Sequence, residues 1–374
     1  MNPAIEKALT IVHTEASVGW GGQEIRTFEE ARWMRGKGHR VLLAAPESSE
    51  ILKRFRSEGF EVRGVGFEKW SQLSDFSRLA GWFREIRPDV VGTHSNVDSR
   101  VGLLAAQFAG VPVRLRYRHI SAPTRPNIVN KWLYNRVANH VLTTAECIRE
   151  ELIGKLGLDP GRVSTVPTGI DPPNFPSSRE EERIALAHRL NLPETARFIG
   201  CVAVLRSWKG QEFLMRAFDE IAAEFRDHHL LFVGDGPYGP ILQQMRLERS
   251  AAKRIHFFGH QNDPWPFFRA MDIAVLPSYK DEGIPQSLLQ AMFAECAVVG
   301  TNVGGIPEIV RHLETGLLAP PKDVANLTES LRTTLKEESA TARQGARALQ
   351  MVNERHTRDK MGESVLKIVA RVLR

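Results

Sequence analysis

Cysteine is scarce: three in 374 residues, at positions 147, 201 and 296. An odd, scattered set in apolar settings excludes a disulfide framework and a zinc ribbon, and is expected of reduced core thiols in a cytoplasmic protein. Long apolar runs are missing as well. None approaches the roughly 18–20 residues that cross a bilayer, so no transmembrane helix is expected. The N-terminal segment lacks a signal-peptide pattern; its short apolar run, Ala8–Val12, reads as a first strand. Asp-x-Asp and Cys-x-x-Cys do not occur, so the sequence requires no divalent metal and the expected metal-ligand set is empty. There is no short repeat and no low-complexity segment.

What is present is ordinary soluble composition, 42% hydrophobic and 25% charged, over a length suited to two domains with a core each. The net charge of +6 is unevenly placed. Residues 1–170 hold 24 Lys and Arg against 18 Asp and Glu, and the remainder holds 26 of each. A one-sided basic excess points to an anionic partner (an acidic membrane face, a phosphorylated glycolipid or nucleic acid), with plain solubility charge as the alternative.

Strand-like and helix-like stretches alternate through both halves. Strands are expected at Leu9–His13, Arg40–Ala45, Phe60–Val65, the run from Pro88 to His94, Val111–Tyr117 and His140–Thr144, with helical patterns between them. A proline-rich stretch from Val163 to Pro176 ends this series. The alternation restarts at Phe198–Leu205 and continues through Leu230–Val233, Ile255–Phe258, Ile273–Pro277, Ala297–Gly300 and Gly316–Ala319. Repeating strand–helix units predict an α/β chain of two doubly wound parallel sheets, which bind ligands at the C-terminal ends of their strands. The expected domains are 1–170, 171–355 and a terminal helix within 356–374.

Several stretches carry chemistry. Ser278-Tyr-Lys-Asp-Glu-Gly-Ile-Pro285 links a buried strand to a helical pattern from Gln286, with Gln290 one turn further on. Such a turn aims free backbone N–H groups at one point, suited to an anion or to sugar hydroxyls, with Glu282 at its rim. Arg206 and Lys209, at the end of the second half's first strand, could neutralise a diphosphate or form a solvated charge pair. Gly21-Gly22 opens the first helix, where the backbone can approach a phosphate or simply turn. Gly236 closes Val233-Gly-Asp-Gly, which reads as a tight strand-to-helix turn capped near Asp235. His94 ends a strand in Thr93-His-Ser95, as a structural histidine or a cleft-facing one. Val113-Arg-Leu-Arg-Tyr-Arg-His-Ile120, continuing to Lys131 and Trp132, interleaves cations with aromatics. That suits a membrane or glycolipid surface better than nucleic acid, since no nucleic-acid module accompanies it, and an amphipathic helix with charged edges is the plain alternative.

Glu282-Gly-Ile-Pro285 followed by Gln290-Ala-Met292 resembles the Glu-(seven residues)-Glu signature of the retaining GT-B glycosyltransferases of family 4. Arg206-Ser-Trp-Lys-Gly210, Gly21-Gly-Gln-Glu24 and Thr168-Gly-Ile-Asp171 resemble the family's further motifs, so that the likeness covers nearly the whole chain. The chain departs from the family in having Gln290 for the second acid and Thr168 for an asparagine. The resemblance implies two Rossmann-like domains facing across a cleft, the first for the acceptor and the second for the donor, with the terminal helix of 356–374 crossing back onto the first. It implies transfer of a sugar, with retention, from a UDP- or GDP-sugar, as co-substrate and without other cofactor, to a glycan or glycolipid acceptor. By the same resemblance Arg206 and Lys209 stabilise the departing diphosphate. Glu282 and the backbone of Gly283, Ile284, Pro285 and Gln286 hold the sugar. Gln290 and Gly236 lie by the nucleotide, and His94 and Gly22 complete the site from the first domain. Arg114, Arg116, Arg118, Lys131 and Trp132 are the candidate acceptor or membrane residues. A lipid-linked or phosphorylated acceptor in envelope polysaccharide or lipopolysaccharide assembly, at the inner membrane face, is the expectation. A non-catalytic nucleotide-sugar binder and a GT-B epimerase are the rivals.

Overall fold

A computed structural model describes residues 7–68 and 70–374; residues 1–6, where the first expected domain begins, lie outside it. The chain divides into two compact units, one of Met1–Gly169 with Thr357–Arg374 and one of Ile170–His356.

The first unit is built on a seven-stranded parallel sheet. Its strands are β1 (Thr10–Thr14), β2 (Arg40–Ala45), β3 (Glu61–Gly64), β4 (Val90–Thr93), β5 (Val113–Arg118), β6 (His140–Thr143) and β7 (Val163–Thr165). They lie in the order β3-β2-β1-β4-β5-β6-β7. Both faces are covered, and for that reason strands such as β2 and β4 read as apolar runs, whereas β5 alternates apolar residues with arginine. Neighbours in β1 go to opposite sides: Ile11 joins a core with Phe28, Leu43 and Leu115, whereas Val12 joins Leu42, Val91 and Val101.

The terminal helix, Arg358–Leu373, belongs to this unit. Met361, Val365, Ile368 and Val369 enter the core that holds Ile11 and Leu115. Two polar contacts fix its start: Trp33 Nε1 donates to Asp359 Oδ1 at 2.5 Å, and Arg358 pairs with Glu29 at 2.7 Å. Gly362 lies flat against the Trp33 indole; a Cβ there would stand 2.2 Å from Trp33 Cε3.

The second unit carries a six-stranded parallel sheet. It comprises β8 (Arg197–Val202), β9 (His228–Val233), β10 (Ile255–Phe257), β11 (Ile273–Leu276), β12 (Ala297–Thr301) and β13 (Leu317–Ala319), in the order β10-β9-β8-β11-β12-β13. Ile199, Cys201, Phe218, Leu230, Phe232, Ile273 and Val275 lie in one core cluster on this sheet. Cys201 and Cys296 are buried, and burial pushes their thiols up to about 12. Each sheet reverses its strand order once, between β1 and β4 in the first unit and between β8 and β11 in the second. A doubly wound sheet opens a crevice at such a reversal, at the C-terminal ends of the two strands.

Candidate functional site

In the second unit the reversal point gathers the loops after β8 and β11. Lys209 arrives from the β8 loop, in a single turn of 3-10 helix, Ser207–Lys209. Glu282 arrives from the β11 loop. Lys209 Nζ lies 2.6 Å from Glu282 Oε1, and Ser278 Oγ donates to the same oxygen at 2.5 Å. Ser278 is itself anchored, its carbonyl accepting from Thr301 Oγ1 in β12. Glu282 is 4% exposed.

The backbone around Glu282 is tightly specified. Asp281, just before it, has φ +62, a conformation that a non-glycine residue adopts only under constraint. Gly304 packs under the Glu282 carbonyl, where a Cβ would come within 2.3 Å of the oxygen. Gly283, Ile284 and Pro285 are buried and lead into the helix Gln286–Phe293, whose first turn leaves backbone N–H groups without intrahelical partners. Gln290 is half-buried one turn along that helix. The β8 loop is braced by the loop after β9. Leu205 N donates to Asp235 O at 2.7 Å, and Gly236 fits against Leu205, where a Cβ would stand 2.4 Å from its carbonyl oxygen. Arg206 is exposed, with its guanidinium 4.9 Å from the Trp208 ring centroid.

The reversal point of the first unit holds a buried polar group of a different kind. His94 does not stand alone at the end of β4. Its Nε2 lies 2.9 Å from His13 Nδ1 and its Nδ1 lies 2.9 Å from His119 Nε2, so three strand ends contribute one chain of imidazoles. Burial holds His13 down at about 4; burial, then neighbouring positive groups, holds His94 and His119 well below the usual imidazole range. Asp98 fixes the His94 backbone. Its carboxylate accepts from His94 N at 2.9 Å, Ser95 N at 2.8 Å, Ser95 Oγ at 2.5 Å and Thr14 Oγ1 at 2.7 Å. Burial nevertheless raises the Asp98 carboxyl above its ordinary value. Glu15, wholly buried after β1, is pushed up to about 8 by burial and by the charges of Asp98 and Glu24, against the pull of the Ser17 N–H and the Gln23 amide. Gly22 opens the helix Gly22–Gly36, and a Cβ at that position would meet nothing within 4 Å.

The structure therefore brings together Lys209, Glu282 and the 283–286 backbone in one unit, and His94 with its neighbours in the other. Sequence reasoning missed Ser278, His13, His119, Glu15 and Asp98. Only Asp98 had a readable signal, as the acid of a Ser95-x-x-Asp98 helix-start box.

The three arginines of β5 require a correction. They do not form a basic outer surface for a membrane. Their side chains lie on one face of an interior strand, with Arg116 only 1% and Arg118 only 9% exposed. Arg114 is half-buried and donates to the carbonyls of Val111 and Val137. Alternation along a strand, not a helical stripe, places them there. Lys131 and Trp132 do lie on an exposed helix, Ile128–Trp132, together with exposed Ile128 and Val129.

Two family models match the chain, "Glycosyltransferase Family 4" over residues 20–173 and "Glycosyl transferases group 1" over residues 182–351, together spanning most of it. Among curated proteins, a 2-deoxystreptamine glucosyltransferase of Streptomyces kanamyceticus is 30% identical over 63% of this chain and 64% of its own length. A D-inositol 3-phosphate glycosyltransferase of Corynebacterium efficiens is 28% identical over 74% of this chain and 69% of its own. The chain thus spans about two thirds of the length of these relatives. Among solved structures, the Anabaena protein HepE in complex with UDP-glucose matches with a TM-score of 0.85 at 20% identity, over 97% of this chain and all of that one.

Proposed function

Because the chain belongs to the family 4 glycosyltransferases of GT-B fold, we propose that it moves a sugar from a nucleoside diphosphate sugar to an acceptor hydroxyl, with retention at the anomeric carbon. The observation that carries this reading is the Lys209–Glu282 pair, braced by Ser278, at the reversal point of the second sheet. An ammonium and a carboxylate held together there form a switchable contact. When the donor binds, Lys209 turns from Glu282 to the diphosphate, and Arg206 joins it. The freed Glu282 carboxylate then accepts from the sugar, and the backbone N–H groups of Gly283, Ile284 and Gln286 donate to it, Pro285 having none. Charge developing on the leaving diphosphate is met by two cations and a helix N-terminus, so the residues present suffice without a metal. The leaving phosphate takes the proton of the attacking hydroxyl, and no side chain serves as nucleophile. Gln290 holds the ribose with neutral hydrogen bonds where the family pattern has a charged one. His94, neutral and fixed by Asp98, stands at the reversal point of the first unit's own sheet, and Gly22 opens the helix that follows β1.

UDP-glucose in the HepE complex and the glycosyltransferase names of the curated relatives support a nucleotide-sugar donor. The acceptor is a lipid-linked or phosphorylated glycan of envelope polysaccharide or lipopolysaccharide assembly. The exposed Ile128, Val129 and Trp132 beside Lys131 support a peripheral, cytoplasmic-face attachment to an anionic bilayer. Gln290 favours one second reading, a nucleotide-sugar binder without turnover. Both are tested by a thermal-shift panel of UDP, GDP, ADP and their sugar conjugates on the wild type, on the Arg206→Ala/Lys209→Ala double variant and on Gln290→Glu. A ligand at 100 times its Kd should add about 2.7 kcal/mol. A selective shift lost in the double variant, with transfer or donor hydrolysis by the wild type, is the expected result. Binding with turnover only in Gln290→Glu would establish the second reading, and no shift with any nucleotide would sink both.

A further inference from the structure

The first unit contains a cavity of about 300 Å³ whose walls are dominated by arginine: Arg100, Arg116, Arg118 and Arg125, with Asn96 and Tyr134. It opens beside the C-terminal ends of β4 and β5. Arg116 and Arg118 stand two residues apart on β5 and so point to the same side of the sheet. Both are at least nine-tenths buried, yet the oxygens that accept from them are all neutral. Arg116 donates to the Tyr117 carbonyl at 2.8 Å, the Thr93 carbonyl at 3.4 Å and Asn96 Oδ1 at 3.0 Å; Arg118 donates to the Ala122 carbonyl at 2.5 Å. Among the described residues no carboxylate is hydrogen-bonded to either buried guanidinium, although the Asp98 charge acts on Arg116 and the Glu151 charge on Arg118 from further away.

Buried charges are ordinarily paired, because an unpaired one forfeits its hydration with nothing in return. Here the deficit is visible atom by atom. The Nε of Arg116, the Nε of Arg118, the hydroxyl of Tyr134 and the hydroxyl of Thr124, all on residues that line the cavity, are buried without a hydrogen-bond partner. All four can donate, and only the two hydroxyls can also accept, so the group as a whole is short of acceptors. Burial, helped by the Arg116 charge, lowers the Arg118 guanidinium from its ordinary value, and the opposing pull of Tyr134 and Glu151 does not restore it. The Arg116 fork is also fixed in advance, held by Asn96 on one side and by two carbonyls on the other.

We propose that this cavity binds a dianionic phosphoryl group, a phosphomonoester carried by the acceptor. Forked guanidinium donors match phosphate oxygens, and two buried plus two rim arginines supply more positive charge than a carboxylate would neutralise. The size admits one phosphorylated sugar-sized residue and excludes a polynucleotide strand. Only the word acceptor rests on the glycosyltransferase reading; the anion site stands on unit one alone.

The test is isothermal titration of the full chain at low salt with inorganic phosphate, glucose 6-phosphate and glucose, and sedimentation with phosphatidic acid or phosphatidylcholine vesicles. Arg118→Gln removes a buried guanidinium. The double variant Arg100→Gln/Arg125→Gln removes only exposed rim charge and keeps the core intact if the first variant misfolds. Phosphate and glucose 6-phosphate should bind and glucose should not, with Kd raised at least tenfold in Arg118→Gln and several-fold in the rim variant. UDP and GDP affinity should be unchanged in both. Binding of phosphatidic acid vesicles, competed by phosphate, would place the phosphoryl group on a lipid; binding of glucose 6-phosphate alone would place it on a soluble acceptor. Absence of phosphate binding by the wild type, or equal affinity in wild type and both variants, overturns the proposal. A failed nucleotide titration alongside intact phosphate binding would instead count against the donor reading.

Discussion

Lys209 and Glu282 are better understood as a pair than as two ligands in waiting. Glu282 is almost fully buried and accepts from two donors on one oxygen. Lys209→Met removes one of them and leaves the carboxylate with Ser278 alone. Losing one partner of a buried, charge-assisted contact costs about 1–3 kcal/mol. The same change removes a cation from the leaving group, where one electrostatic donor is worth roughly 100–1,000-fold in turnover. Urea unfolding and initial-rate measurements should show both losses. Glu282→Gln should keep most of the stability, since its amide oxygen still accepts from Ser278, while losing turnover. Equal stability and turnover in Lys209→Met would dissolve the switch described above.

The buried acids and imidazoles of the first unit give opposite pH slopes. His13, His94 and His119 are lowered in the folded chain, so the unfolded chain takes up protons first and stability falls as pH drops below about 6.5 towards 4. Glu15 is raised from 4.5 to about 8, so the folded chain holds the extra proton and stability falls as pH rises through that window. Between pH 6.5 and 8 the histidine contribution is already complete and the carboxyl contribution alone has a slope. Glu15→Gln should therefore flatten the decline from pH 6.5 to 8 in urea melts and leave the acid limb in place. An unchanged alkaline limb would mean that Glu15 ionises in the fold.

At the scale of elements, the strand–helix alternation was readable because both faces of each sheet are covered and the strands are plain apolar runs. The terminal helix was readable from the spacing of Val365, Ile368 and Val369. Its return to the first domain was implied only by the family resemblance, and its seat on Trp33 was not readable at all. Gly362 carries no periodic signal, yet it lets the helix backbone lie against Trp33. Gly362→Ala should lower stability by about 1–3 kcal/mol through overpacking. Trp33→Leu should recover part of that loss in a double-mutant cycle, since neighbours in contact do not add. Additive losses would show that the helix seats elsewhere. The β5 arginines teach the converse lesson. Val113-Arg-Leu-Arg-Tyr-Arg118 alternates with a period of two, the mark of a strand with one apolar and one polar face. Reading the same residues as a surface stripe ignored that period. A polar strand face is usually wet, and only the packing of neighbouring segments over it makes a closed, charged cavity.

At the scale of the molecule, Glu282 and Lys209 could each be picked from local spacing, but the contact between these residues, 73 apart in the chain, could not, because it depends on β11 returning beside β8. The three-histidine chain likewise needs β1, β4 and β5 side by side, and a histidine at a strand end looks in sequence like any other core residue. The two units have separate cores, and each ligand proposed above touches residues of a stated unit. That predicts a division visible in hydrogen exchange. A nucleotide at 100 times its Kd adds about 2.7 kcal/mol to whatever unfolding releases it. For a site built on β8, β11 and the Gln286–Phe293 helix, the protection should appear in those amides and fade with Lys209→Met. Phosphate should instead protect β4, β5 and the 120–137 segment, and should lose that effect with Arg118→Gln. If UDP or GDP protected the β5 region as strongly as β11 in the absence of phosphate, the assignment of one ligand to each unit would be wrong. The arginine cavity would then be a second nucleotide subsite, and Arg118→Gln should weaken nucleotide binding by the same factor as it weakens phosphate.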